Sequence, residues 1–196
     1  MRKLGFFAVC LAVIMACVQP KIRVTHAAKN LTTPSTNRGT VVFIQSTDII
    51  ASRVAQDQFT RIFAYPSTQA YVFMNKSYID SFNVGNYQAK MGQQNVAYIV
   101  CMHVQELPEP SFHANFLDAY TQHFAKLMYN PIYKYTAAKA YVQVSVYEAT
   151  TRQLLWQGIS GQVPVEKLPQ YLQKMVPRVQ KELEKANYFS IKKSKR

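Results

Sequence analysis

The longest apolar runs in the chain are short and rich in β-branched residues. Gly39 to Thr47, GTVVFIQST, is closed by polar residues, and Asn95 to Leu107, NVAYIVCMHVQEL, is stopped by a Leu-Pro-Glu-Pro sequence. Both are read as strands, the first of them buried, and the prolines end the second. Ala70 to Asn75, AYVFMN, is a shorter strand candidate. From Lys139 to Val163 the residues Tyr141, Gln143, Ser145 and Tyr147 alternate with Val142, Val144 and Val146. The chain then turns over Ala149-Thr150-Thr151-Arg152 and returns through Leu154, Leu155 and Trp156, which predicts a β-hairpin.

Helical spacing appears twice. Thr47 and Asp48 are suitable N-caps for a helix in which Ile50, Val54, Phe59, Ile62 and Phe63 recur, ending before Pro66. Leu168, Leu172, Met175, Val176, Val179 and Leu183 form one face of a C-terminal helix that Pro177 should kink. Residues 76–94 are polar with scattered apolar positions, giving one or two short helices broken near Gly85. The element order predicts an α+β fold, a layer sandwich of a small mixed β-sheet with helices packed against it.

The insert from Ser111 to Tyr135 carries Phe112, Phe116, Tyr120 and Phe124 at intervals of four. That interval fits a slowly drifting helix stripe and equally the inward positions of a strand. Three readings stay open: a helix or ordered loop on the core, an exposed aromatic patch for a partner, or a membrane strand. Asp118, Gln122 and Lys126 would fall on the aromatic side of such a strand, where charge is costly. The four aromatics are taken as the candidate partner-binding residues.

Met1-Arg2-Lys3 followed by an uncharged run to Ala16 has the layout of a secretory signal peptide, too short to span a bilayer of about 30 Å. Ile14-Met15-Ala16-Cys17 resembles a bacterial lipobox, which makes Cys17 the lipidated first residue of the mature chain. The organisation expected is a signal peptide over 1–16, a lipid-anchored flexible tether over 17–40, one α+β domain over 41–190 and a basic tail over 191–196. With Cys10 removed and Cys17 acylated, Cys101 has no disulfide partner and reads as a small buried hydrophobe.

The formal net charge of +13 becomes +11 without Arg2 and Lys3. Residues 164–196 hold nine Lys or Arg against three Glu and finish in Lys192, Lys193, Lys195 and Arg196, which with Lys185 form the candidate basic surface. For an exported chain the available polyanions are lipid head groups and acidic envelope polymers rather than nucleic acid. His103, His113 and His123 share a spacing of ten that no helix or strand converges, and no Cys or acid accompanies them, so no metal site is expected. Glu182 and Glu184 point to different helix faces and cannot form a catalytic carboxylate pair. Neither a nucleophile elbow nor a Gly-rich phosphate loop occurs. No catalytic residue and no cofactor beyond the lipid on Cys17 is expected.

The stretch FMNKSYIDSFNVGNYQAKMGQQNVAYIVCMHVQEL, followed after the insert by VSVYEATTRQLLWQG, is similar to the periplasmic domain shared by the curli-secretion channel lipoprotein and the penicillin-binding-protein activator lipoproteins. The likeness runs from about Gly39 to Ala186. Ala97 stands where that family has aspartate, and Glu148 and Arg152 stand where aspartate and glycine are usual. The resemblance implies a non-enzymatic outer-membrane lipoprotein facing the periplasm. It would be a docking or assembly subunit of a secretion channel or cell-wall synthesis complex, with other envelope subunits or further copies of itself as partners. The alternative is a module that binds anionic polymers or lipid surfaces through its basic C-terminal helix.

Overall fold

The computed structural model describes residues 20–28, 39–46, 48–62, 69–72, 96–106, 108–124 and 137–186, with only the backbone of 69–72 and 123–124. The strands are β1 (Ile22–Ala27), β2 (Gly39–Gln45), β3 (Gln69–Val72), β4 (Val96–Gln105), β5 (Lys139–Glu148), β6 (Leu154–Ser160) and the two-residue β7 (Val163–Pro164). The helices are α1 (Ile49–Ile62), the single turn α2 (Phe116–Ala119), which continues as a π-helical turn (Tyr120–Phe124), and α3 (Leu168–Lys185), which follows a 3-10 turn (Val165–Lys167).

The main sheet is mixed, with strand order β1-β6-β5-β4-β2-β3, and β7 pairs with the start of β5. β2 runs parallel to β3 and β4, whereas β4, β5, β6 and β1 are successively antiparallel. β4 lies in the middle, and nine of its ten residues are buried, Gln105 alone being half-buried. This is why its sequence is a continuous apolar run rather than an alternation. The α+β sandwich expected from the element order is the fold observed.

α1 and α3 cover one face. Ala51, Ala55 and Phe59 of α1 and Leu168, Leu172, Met175, Val176, Val179 and Leu183 of α3 bury against Val42, Ile44, Val100, Met102, Val144, Val146 and Trp156. Asp48 caps α1, its Oδ1 accepting from the Ile50 N–H at 2.8 Å and the Ala51 N–H at 3.0 Å. The expected apolar face of α1 is corrected in one respect. Ile50 is 66% exposed, because the inward stripe runs through the small residues Ala51 and Ala55, about a quarter turn away. α3 keeps its expected face and continues through Pro177.

Gly158 fits the same packing. A Cβ there would lie 2.6 Å from Trp156 Cη2 and 2.8 Å from Ile22 Cγ2, so only glycine lets the indole lie along β6 beneath β1.

Two expectations change. Residues 17–40 are not wholly a tether: Ile22–Ala27 is a strand on β6, bulged between Val24 and His26, and Gly39–Thr40 belongs to β2. Pro20 and Lys21 are also bound to α3. The Pro20 carbonyl accepts from Arg178 Nη1 at 2.8 Å, and the Lys21 carbonyl accepts from the Tyr171 hydroxyl at 3.5 Å. The signal peptide, Cys17 and the helices expected over 76–94 lie outside the described residues.

The β5–β6 turn holds one residue in an uncommon backbone conformation. Arg152 has φ of 64°, and its Nε is buried without a hydrogen-bond partner among the described residues. Left-handed backbone costs an L-residue about 1–2 kcal/mol, part of which glycine returns through its freer unfolded state. Arg152→Gly is therefore expected to stabilise the domain by about 0.5–1 kcal/mol in thermal unfolding, and a lowered melting temperature would contradict it.

Candidate functional site

The sheet face opposite α1 and α3 has two halves with different chemistry. Toward the β5–β6 turn it is apolar: Val41, Phe43, Ile99, Cys101, Tyr147 and Leu154 are covered by Phe116, Ala119 and Tyr120. The insert is fixed there by the backbone. The Phe116 N–H donates to the Arg152 carbonyl at 2.8 Å, and the Leu154 N–H donates to the Ala114 carbonyl at 2.9 Å. Asn115 caps α2, its side chain accepting from the Leu117 N–H at 2.9 Å.

Phe116 is fully buried, its ring 5.3 Å from Phe43 and 5.8 Å from Tyr147, and Tyr120 is 4% exposed with its ring 6.4 Å from Phe43. The expectation that these two face a partner is thus corrected: i, i+4 spacing across α2 points both at the sheet. Phe124 closes the π-helical turn, and its side chain lies outside the described residues. Burial pushes the Tyr120 hydroxyl up, and it pushes the Cys101 thiol well above its ordinary value, so Cys101 is a packed, protonated side chain.

The other half of this face is polar yet buried. Gln143, Ser145 and Gln157 are each at most 2% exposed. They hold the strand-like strap of residues 110–114 against the sheet. Gln143 grips Ser111 twice: its Oε1 accepts from the Ser111 N–H at 2.9 Å and its Nε2 donates to the Ser111 carbonyl at 2.8 Å. Gln157 Nε2 donates to the same carbonyl at 2.9 Å and to Ser145 Oγ at 3.2 Å, while its Oε1 accepts from Thr25 Oγ1 at 2.8 Å. Primary-amide side chains can both donate and accept, so they replace the missing strand partner of the strap.

On this clamped strap Phe112 points outward, 58% exposed, its ring edge-on to His26 of β1 at 5.7 Å. Val24 is 42% exposed but pairs with Gly158 across the bulge, which turns it toward the α3 face and away from Phe112. Of the four aromatics singled out in the sequence, the structure therefore leaves Phe112 at the surface and brings Phe116 and Tyr120 into the core. The glutamine clamp is not visible in the sequence, where Gln143 and Ser145 appear only in the row that alternates with Val142, Val144 and Val146.

Of the three evenly spaced histidines, the side chains of His103 and His113 are described and that of His123 lies outside the described residues. His103 is buried with Nε2 2.7 Å from Gln105 Oε1, and His113 is half-buried. Desolvation lowers the pKa of His113, with nearby Asp118 opposing that shift. Among the described residues no three His, Cys, Asp or Glu side chains gather as a metal site, and no helix is long and apolar enough to cross a membrane. Lys185 is exposed and ion-paired with Glu182 at 2.7 Å, whereas Lys192, Lys193, Lys195 and Arg196 lie outside the described residues.

No family model matches the sequence, and no curated protein matches it. Among solved structures, the PelC dodecamer from Paraburkholderia phytofirmans is similar at 10% identity over 87% of this chain and 99% of that one, with a TM-score of 0.44. A singly substituted PelC dodecamer from the same organism is similar at 10% identity with a TM-score of 0.43, over the same shares of the two chains. The likeness extends no further than the course of the backbone.

Proposed function

We propose that this protein is a non-enzymatic outer-membrane lipoprotein, anchored by lipid on Cys17 and facing the periplasm, whose domain is a docking or assembly subunit of an envelope machine. The observation that carries the docking role is the presentation of Phe112. An exposed aromatic ring on a loop held from beneath by two buried glutamines is pre-organised, and binding then costs little ordering entropy. His26 of β1, the last strand on that side of the described sheet, extends the same surface. Val18 after the cysteine, rather than aspartate, is the enteric-type sorting signal for the outer membrane.

Phe112→Ser should abolish or weaken crosslinking of the protein to its partner in cells, identified by mass, while the melting temperature stays nearly unchanged. Exposed substitutions usually shift stability by less than about 0.5 kcal/mol. Unaltered crosslinking would move the contact elsewhere. Cys17→Ser should leave an uncleaved precursor without lipid label. A mature chain beginning at Ala28, or fractionation with the inner membrane, would overturn the anchoring and the placement respectively.

A further inference from the structure

We infer that the domain lies flat on the membrane that anchors it, with a stripe of cations on α3 seated on anionic lipid head groups. This rests on the lipid anchoring proposed above and adds an orientation and a contact surface to it. Lys174, Arg178, Lys181 and Lys185 recur at i, i+4, i+7 and i+11, which places them within about 60° of one another around the helix. They occupy the side away from the buried row Leu168, Leu172, Met175, Val176, Val179 and Leu183. Glu182 binds Lys185 and Glu184 accepts from Gln180 at 3.0 Å, and among the described residues neither Lys174 nor Lys181 forms an ion pair.

The position of the anchor makes this stripe a membrane surface rather than a general basic patch. The Pro20 carbonyl is held by Arg178 and the Lys21 carbonyl by Tyr171, so the chain leaves the fold alongside the stripe. Cys17 is three residues before Pro20 in sequence. Three residues reach at most about 11 Å, not the roughly 25 Å that a free segment of twenty residues would average. Lys174 and Lys181 lie within about 6 Å of Arg178 along the helix axis, and exposed Lys21 adds a fifth charge. The tether therefore holds the Arg178 end of the stripe close to the head groups, within a reach comparable to the Debye length of about 8–10 Å at ordinary ionic strength, and Lys185, about 10 Å further along the axis, meets the same layer when α3 lies along the membrane. Attraction of basic side chains to an anionic leaflet acts over this range, and a lipid chain combined with a basic patch is a stable pair of membrane signals.

The test uses the full-length chain, purified from membranes of a diderm host and returned to phosphatidylcholine vesicles containing none or about a third of phosphatidylglycerol. Cys101 is 2% exposed and Cys17 is acylated, so a single introduced surface cysteine labels selectively. A fluorophore at Gln170→Cys, one turn before Lys174 on the stripe, should be quenched by head-group spin-labelled lipid in the anionic vesicles. One at Gln122→Cys, exposed in the turn that continues α2 on the opposite face of the sheet, should not. Quenching at 170 should be lost on Lys174→Glu with Lys181→Glu, or in about 1 M salt where the Debye length falls to about 3 Å. A vesicle-bound chain with no quenching at 170, or with equal quenching at 170 and 122, overturns the flat orientation and leaves the anchor intact. Quenching at 170 that survives the charge reversals overturns the cation stripe as the contact. A chain that fails to stay on vesicles overturns the anchoring itself, and with it this orientation.

Discussion

Replacing Phe116 and Tyr120 together with serine is expected to remove most of the stability of the domain. Truncating one buried aromatic ring typically costs about 3–5 kcal/mol, against a total of about 5–15 kcal/mol for an ordinary domain. The two rings share Phe43 as a neighbour, so their costs will not add fully. Even so, the apolar half of the strap face would lose its cover, exposing Phe43, Ile99 and Tyr147 to water. Trp156, 1% exposed and packed on the opposite face, reports global unfolding by its fluorescence without touching the mutated site. The expected result is a melting temperature lowered by well over ten degrees, or no cooperative transition, beside a Phe112→Ser variant that melts like the parent. A double variant within a degree or two of the parent would mean that α2 does not cover the sheet.

The contrast between these neighbouring aromatics shows where sequence pattern is informative and where it stops. An interval of four from 112 to 124 looks uniform, but helix begins only at Phe116, after the Asn115 cap, so Phe112 belongs to a strap with different geometry. The strands β2 and β4 and the alternation of β5 were legible because a β-branched apolar run and a period of two are both signals carried by neighbouring residues. The apolar row of α3 was legible for the same reason, over five turns. β1 was not. Ile22-Arg23-Val24-Thr25-His26-Ala27 is short, polar in half its positions and set in a Pro-, Thr- and Asn-rich region, and its place is decided by pairing with β6 and by Arg178. Gln143 and Gln157 escaped for a related reason: their burial depends on a strap whose own sequence has no period.

That dependence makes the clamp testable through non-additivity. Gln143→Leu keeps the side-chain volume but leaves the Ser111 N–H without the acceptor it has in the fold, and removes one of the two donors to the Ser111 carbonyl. Losing the partner of a buried donor costs about 1–3 kcal/mol, so this variant should be destabilised by about 2 kcal/mol. Gln157→Leu should cost less, because Gln143 Nε2 still serves the Ser111 carbonyl and Ser145 Oγ, and Thr25 can turn to water. If both glutamines act by holding one strap, the first replacement frees Ser111 and the second finds little left to break. The double variant should then cost measurably less than the sum of the singles, by about 0.5–1 kcal/mol of coupling. A strap released in this way also loses the fixed pose of Phe112, so partner crosslinking should fall in Gln143→Leu although Phe112 itself is unchanged. Strictly additive single effects with full crosslinking would show that the glutamines are separate packing residues and that Phe112 needs no pre-organised loop beneath it.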